Sequence, residues 1–273
     1  MSNTLLQHYA RADLETVILT ALAAAGKDTD CLQAEDLAPI DEFHIRGRQA
    51  TLELARAAGL ARGAQVLDVG SGIGGPSRCL ARDFGCQVTG IDLSADYCRV
   101  ATMLAARVAL TECVSYRQGD ALDLPFTRHS FDAVWSQHVA MNIADKAALY
   151  RQMYRVLTPG GTLAIYDVIA GPGGMVHFPV PWARTPASSF LATAGELRRS
   201  IATAGFEIVH WHDDTANART WFAGLADRIA ERGLPPLGIH LLLGEDFALM
   251  AANQRRNLDE DRIGLIQLVA RRR

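Results

Sequence analysis

The part of this 273-residue chain whose residue types and spacing could do chemistry most directly is Asp68-Val69-Gly70-Ser71-Gly72-Ile73-Gly74-Gly75. Glycines at a turn between a strand and a helix permit positive φ and let a ligand approach the backbone with no Cβ in the way. Gly70, Gly72 and Gly75 satisfy G-x-G-x-x-G, and Asp92 closes the next apolar run about twenty residues on, placed to accept hydrogen bonds from ribose hydroxyls. With strand, turn, helix and downstream acid in register, the pattern reads as a site for a nucleoside-type cofactor. A dinucleotide would use the same geometry, so these features alone leave the cofactor open.

Three further features narrow it. Asp68 stands two residues before Gly70, making Asp-x-Gly-x-Gly-x-Gly. Gly119-Asp120-Ala121-Leu122-Asp123-Leu124-Pro125-Phe126 follows the third expected strand, and Arg155-Val156-Leu157-Thr158-Pro159-Gly160-Gly161 stands just before the fifth. Together these residues resemble the class I S-adenosylmethionine (SAM)-dependent methyltransferases, over roughly Gln65 to Tyr166 with supporting strands beyond. Asp41-Glu42-Phe43-His44-Ile45-Arg46-Gly47 and Trp135-Ser136-Gln137-His138 narrow the resemblance to the small-molecule sarcosine/dimethylglycine and phosphoethanolamine type. Sterol and tocopherol methyltransferases are looser relatives. The resemblance implies that Gly70, Ser71, Gly72 and Gly74 lie against the amino-acid and ribose portion of SAM. It implies that Asp92 binds the ribose hydroxyls with Leu93 beside the adenine, that Asp120 faces the adenine amino group with Ala121 next to it, and that Gln137 sits close to the sulfonium. Asp68 either meets the methionine amino group or only braces the turn.

Methyl transfer from a sulfonium is an in-line displacement, so the protein chiefly holds a nucleophile on the methyl axis and excludes water. A general base is needed only if the nucleophile arrives protonated. The chemistry needs no metal, and no acid or histidine cluster in the sequence has ligand spacing. His138 falls at the carboxyl end of a strand, where such sheets bind ligands, and can take a proton from a substrate or hydrogen-bond it. Related enzymes often carry an acid here and a histidine four residues on; this chain has His138 and then Asn142, so neither their substrate nor their base carries over directly. Asn142 positions a substrate or caps the helix starting near Asp145, the cap being favoured. Phe43 and His44 belong to a segment expected to fold over the cofactor, with His44 a candidate active-site contact. Tyr9 is a weak candidate for an N-terminal lid. Between Gly171 and Pro186, His177, Phe178 and Trp182 combine aromatic surface with polar edges, as a substrate wall does.

The expected reaction is transfer of the SAM methyl group to a small-molecule nitrogen, oxygen or carbon, nitrogen first, releasing S-adenosylhomocysteine (SAH). The alternatives are an NAD-dependent oxidoreductase, against which the Asp120 and Pro159-Gly160-Gly161 motifs count, and a non-catalytic SAM-binding protein with a closed acceptor pocket.

Positioning these residues requires strand ends gathered at one edge. From Gln65 short apolar runs alternate with helical stretches, the rhythm of a parallel sheet covered on both faces. The expected fold is α/β: a Rossmann-like, doubly wound seven-stranded sheet, mainly parallel, its last strand antiparallel by the family resemblance. An N-terminal helical cap (residues 1–60) precedes the methyltransferase domain (61–273), which carries a helical insert at about 213–260 before the last strand. The chain is expected to loosen around Pro39. Arg271-Arg272-Arg273 reads as a solvated tail, and Cys79 and Cys98 as buried small hydrophobes.

Composition bounds the partners. The formal charge is −3 with 49% hydrophobic residues, so no global basic field would hold nucleic acid or an anionic membrane. Five cysteines, an odd number without C-x-x-C spacing, suggest neither a disulfide framework nor a zinc site. No apolar run is long enough to span a bilayer and no secretory signal is evident, so a cytoplasmic protein acting on a small molecule is expected, as a monomer or homodimer.

Overall fold

The computed structural model describes residues 13–273. Tyr9 and the first residues of the expected cap lie outside the described residues. Helices α1 (Leu14–Ala24), α2 (Ala34–Asp41) and α3 (Gly47–Ala58) precede the sheet. Next come β1 (Gln65–Val69), α4 (Gly75–Phe84), β2 (Gln87–Asp92), α5 (Ala95–Arg107), β3 (Val114–Gln118), β4 (Phe131–Gln137), α6 (Lys146–Val156) and β5 (Leu157–Ala170). They are followed by α7 (Ala194–Thr203), β6 (Phe206–Asp213), α8 (Thr215–Arg232), the single turn α9 (His240–Leu243), α10 (Phe247–Asp259) and β7 (Ile263–Arg272).

The seven strands form one sheet in the order β3-β2-β1-β4-β5-β7-β6. The pairs from β3 to β5 are parallel, and β7 runs antiparallel to both β5 and β6. This is the expected doubly wound sheet with one reversed strand. From β1 the chain winds outward to β2 and β3, then returns to place β4 on the other side of β1. Such a reversal opens a crevice beyond the strand ends, and here it is bordered by Gly70 after β1 and Gln137-His138 at the end of β4.

The local chemistry of the elements follows from their ends and faces. Pro76 sits in the first turn of α4, where its missing N–H costs nothing, and Gly85 closes the helix at a left-handed φ of 68°. Leu149, Met153 and Val156 of α6 are fully buried against the strands. The first eight residues of β7 are all buried, as suits a strand flanked on both sides, whereas β6 at the edge is mostly exposed or half-buried.

Two expectations are corrected. Pro39 lies inside α2, because Leu37 and Ile40 of that helix are buried among α1 residues and tertiary packing outweighs the weak local propensity. Arg271-Arg272-Arg273 is no tail. β7 continues through Arg272, whose guanidinium donates to the carbonyls of Tyr154 and Leu157 and lies 4.4 Å from the Tyr154 ring centroid. No helix among the described residues is long and apolar enough to cross a membrane.

Candidate functional site

The turn after β1 is built for close approach. Gly70, Gly72 and Gly74 adopt left-handed φ values of 75°, 54° and 86°. A Cβ on Gly70 would collide with Val139 and one on Gly74 with Tyr116, so those positions serve the protein's own packing. Gly72 differs: a Cβ there would meet no protein atom within 4 Å, so the space beside it is open. Asp92 reaches back from β2 and accepts the Gly72 N–H at Oδ2 (2.9 Å) and the Ser94 N–H at Oδ1 (2.9 Å). Burial pushes its carboxyl above the usual range against the pull of these backbone bonds. Asp68 is buried beneath the turn and accepts the Ser77 hydroxyl of α4 at 2.6 Å. Burial raises its pKa to about 7, with the Ser77 bond opposing. This contact is the bracing one of its two expected roles.

At the end of β4 an amide is held by one end. Gln137 Oε1 accepts the Trp135 indole N–H at 2.9 Å and the Thr51 hydroxyl at 3.2 Å. Its Nε2 is buried with no hydrogen-bond partner, as is Ser71 Oγ in the glycine turn. Buried donors left unpaired are costly, and in native structures such atoms mark a missing ligand or water. Open space at Gly72, the Asp92 carboxylate and these two orphaned groups fit an elongated polar ligand of the kind a nucleoside sulfonium presents.

The other expected adenine contacts are turned partly inward. Leu93 offers its carbonyl to Gln118 Nε2 at 3.1 Å. Exposed Asp120 accepts the Leu122 N–H at 2.8 Å in a local turn, and half-buried Ala121 packs against the core.

His138 follows Gln137 with a left-handed φ of 54°, sparsely populated for a residue with a Cβ and held by its N–H bond to the Tyr166 carbonyl at 2.8 Å. Its ring stacks on Tyr166 with centroids 5.5 Å apart and meets His44 edge-on at 5.8 Å. His138 Nε2 is buried without a partner, and burial, with help from the neighbouring His44, drives its pKa well below the usual imidazole value. A neutral imidazole whose Nε2 makes no hydrogen bond can accept a proton there in its Nδ1–H tautomer.

His44 is already engaged. Its Nε2 lies 2.7 Å from Glu42 Oε2 and 3.1 Å from Thr51 Oγ1, and its Nδ1 lies 3.3 Å from the Ile45 carbonyl. Thr51 thus ties the segment before α3 to Gln137, its one hydroxyl proton shared between Glu42 (2.9 Å) and Gln137 (3.2 Å). A second buried tie runs from Arg46, which donates to Asp214 (2.6 Å) and in a fork to Glu53 (2.8 and 2.9 Å), to Tyr166, whose hydroxyl donates to the same Asp214 oxygen at 2.8 Å.

Beside these histidines lies a cavity of about 410 Å³. His44 and His138 line it with Trp182, apolar residues of α8 and α10, and Gln254. The glycine turn is not part of this wall, so the cavity adjoins the crevice rather than filling it. Trp182 is buried there and its indole donates to Ser189 at 2.9 Å. His177 and Phe178 do not line the cavity. His177 pairs with Glu260 at 2.9 Å and exchanges backbone bonds with the Asn257 amide, while Phe178 packs on the core. The loop's polar edges are therefore consumed by α10, and only Trp182 takes the expected wall position. Asn142 also departs from the favoured role: Asp145 caps α6 through the Ala148 N–H, and Asn142 Nδ2 donates to the Trp182 carbonyl at 2.7 Å. Among the described residues no group of three or more His, Cys, Asp or Glu side chains is arranged to hold a metal ion.

Glu42 and Arg46 lie within a run that carries the family resemblance, which implies no role for either, and Thr51, Tyr166, Asp214 and Gln254 have no local signal in the sequence.

Residues 67–165 match a family model described as a methyltransferase domain. The chain is 36% identical over 134 residues to methyltransferase GfsG of Streptomyces halstedii, covering 49% of this chain and 48% of that protein. It spans about half or less of the curated relatives it matches. Among solved structures, the [4+2]-cyclase SpnF superposes with a TM-score of 0.67 at 27% identity, covering 94% of each chain. Phosphoethanolamine N-methyltransferase 2 of Haemonchus contortus, in complex with SAM, gives a TM-score of 0.75 at 20% identity over 100% of this chain and 60% of that one. The similarity to known methyltransferases thus lies in residues 67–165, the stretch that carries the parallel strands β1 to β5.

Proposed function

We propose that this protein transfers the methyl group of SAM to a hydroxyl oxygen of a small, largely apolar acceptor, releasing SAH. The observation that carries the acceptor reading is a neutral His138 that lines an apolar cavity and leaves its Nε2 without a hydrogen-bond partner. Bound in the crevice, SAM supplies a methyl group already activated on a positive sulfur. Asp92 accepts the ribose hydroxyls, Gly72 leaves room for close approach, and Ser71 Oγ and Gln137 Nε2 spend their free donors on the ligand. Trp135 and Thr51 hold the Gln137 amide in that orientation. His138 Nε2 takes the hydroxyl proton as the oxygen–carbon bond forms and the carbon–sulfur bond breaks, its electron pair remaining on sulfur.

Oxygen is favoured over the nitrogen expected first. The polar side chains lining the cavity are His44, His138 and Gln254, with no carboxylate among them. A cationic amine buried there would lack a counter-charge. Half of the cavity wall lies in α8 and α10, and all of it but His138 and Met141 lies outside residues 67–165, so the acceptor is read from the wall itself rather than from the relatives. The likeness to SpnF over 94% of both chains favours a second reading, in which the same cavity shapes an apolar substrate for cyclisation without methyl transfer.

Calorimetric titration with SAH and separately with NADH tests the cofactor. SAH binding alone is expected; NADH binding without SAH would overturn the assignment. Methyl-labelled SAM incubated with phenols, amines and carbon acids then tests the reaction. Label in phenolic ethers supports oxygen, label in amines returns the choice to nitrogen, and SAH binding without labelled product in any class turns the search to the cyclase reading.

A further inference from the structure

Helix α10 carries three amide side chains, and two are bonded to the backbone of the 171–186 loop. Asn257 grips His177 through both its amide atoms (2.8 and 3.0 Å), and Asn253 donates to the Pro179 carbonyl at 3.0 Å. Gln254 stands between them in sequence, is only 6% exposed, and lines the cavity. Its side-chain amide has no hydrogen-bond partner among the described residues. An amide that lines an otherwise apolar cavity and spends no hydrogen bond on the protein is available to a polar group of whatever occupies that cavity.

Its depth is set by the pairing of α8 with α10. Arg219 in the second turn of α8 donates to the Leu258 carbonyl (2.9 and 2.6 Å) in the last turn of α10, so the helices run antiparallel from that point. Gln254, one turn before Leu258, therefore falls beside Phe222, one turn after Arg219. Asp214, the residue before α8, receives the Tyr166 hydroxyl, and His138 stacks on Tyr166. Gln254 and His138 thus share the inner end of the cavity. At the other end Ile229, Ala230, Leu234 and Phe247 offer only apolar surface.

We propose that Gln254 is a specificity-determining residue whose amide binds a second oxygen of the acceptor, so that the molecule taken is an amphiphile with two oxygens at its polar end and an apolar tail. The proposal rests on the reading of this cavity as the acceptor site. One oxygen faces His138 and the other Gln254, while the tail runs along the apolar stripe of α8. A site that hydrogen-bonds a substrate hydroxyl rejects the analogue lacking it far more strongly than an apolar pocket rejects a missing methylene.

The test uses 4-hexylresorcinol and 4-hexylphenol, which differ by one hydroxyl, titrated into the protein with tryptophan fluorescence as readout; Trp182 and Trp221 line the cavity. The resorcinol is expected to bind about tenfold more tightly to the natural protein. In Gln254→Leu that advantage should fall below about twofold while hexylphenol affinity is kept or improved. An advantage that survives the substitution, an equal loss for both phenols, or no binding of either phenol to the natural protein would each overturn the proposal. SAH titration of the same samples separates the two readings. Normal SAH binding without discrimination between the phenols sinks the Gln254 assignment alone, whereas discrimination without SAH binding sinks the methyltransferase reading alone.

Discussion

The Trp135 indole donates to Gln137 Oε1 at 2.9 Å, and this bond fixes which end of a buried amide, Nε2, is left without a partner. Trp135→Phe removes the donor and frees the amide to rotate. SAH affinity should fall about fivefold, the worth of one oriented hydrogen bond. Calorimetry reads the loss, and unchanged affinity would mean that Thr51 alone sets the orientation.

Gly70 and Gly72 separate packing from ligand contact. Both have left-handed φ, so an alanine at either strains the backbone by about 1 kcal/mol. Gly70→Ala also drives a methyl group into Val139, so it should lower the melting temperature far more than Gly72→Ala does. Gly72→Ala should stay folded yet lose at least tenfold in SAH affinity, since its methyl occupies the open space. Equal melting temperatures for the two variants would contradict this division.

His138 is held neutral by burial, so its proton-accepting nitrogen persists under mildly acidic conditions. With a phenol that the protein methylates, kcat/KM should stay level from pH 8 down to pH 6, with no acid limb at the ordinary imidazole value of about 6.5. His138→Ala should cost about a hundredfold in turnover with SAH affinity changed less than about twofold. A protonation step near pH 6.5 that disappears in the variant would show an imidazole far more solvated than this one.

Asp68 has a folded-state pKa raised to about 7 from an ordinary value of 3.8, chiefly by burial. The folded state therefore binds the proton more readily than the unfolded chain. The associated stability is fully present below pH 3.8 and is lost as the pH rises through about 7. Asp68→Asn mimics the protonated form, so its melting temperature should exceed that of the natural protein by several degrees at pH 8. The gap should close toward pH 5. A gap that widened on acidification would reverse the sign and refute the burial argument.

The Arg46–Asp214 pair is buried on both sides. Asp214→Ala should destabilise by about 2–3 kcal/mol, because it leaves the Tyr166 hydroxyl without its acceptor and the buried Arg46 guanidinium with Glu53 as its remaining charged partner. Arg46→Met combined with Asp214→Leu should recover much of that loss in thermal denaturation. Failure of the double variant to improve on Asp214→Ala would assign the effect to packing rather than charge.

The glycine turn and Asp92 were legible because their geometry is local: one strand, one turn and the next strand end supply everything. The sheet was legible for the same reason, each strand announcing itself by a short apolar run. The lateral wiring was not. Thr51 meets Gln137 across 86 positions and Arg46 meets Asp214 across 168, and nothing in either neighbourhood marks the partner. The Gly171–Pro186 loop misled in an instructive way. His177 had the composition of a wall, but Asn257 and Glu260, about eighty residues on, took its polar groups. Gln254 is invisible in the same manner, since only the antiparallel docking of α8 on α10 reveals that its amide faces a cavity rather than a neighbour.

The place of β7 between β5 and β6 has a consequence for the order in which the molecule can be assembled. β6 pairs with β7 alone, and β7 meets β5 along nine residues, from Thr162 opposite Arg271 to Ala170 opposite Ile263. Everything that encloses the cavity on the α8–α10 side is thus synthesised before the strand that seats β6 in the sheet. On the ribosome the half bearing the glycine turn can close on itself while the other half still waits, its apolar helices in water, until residue 263 and its successors emerge.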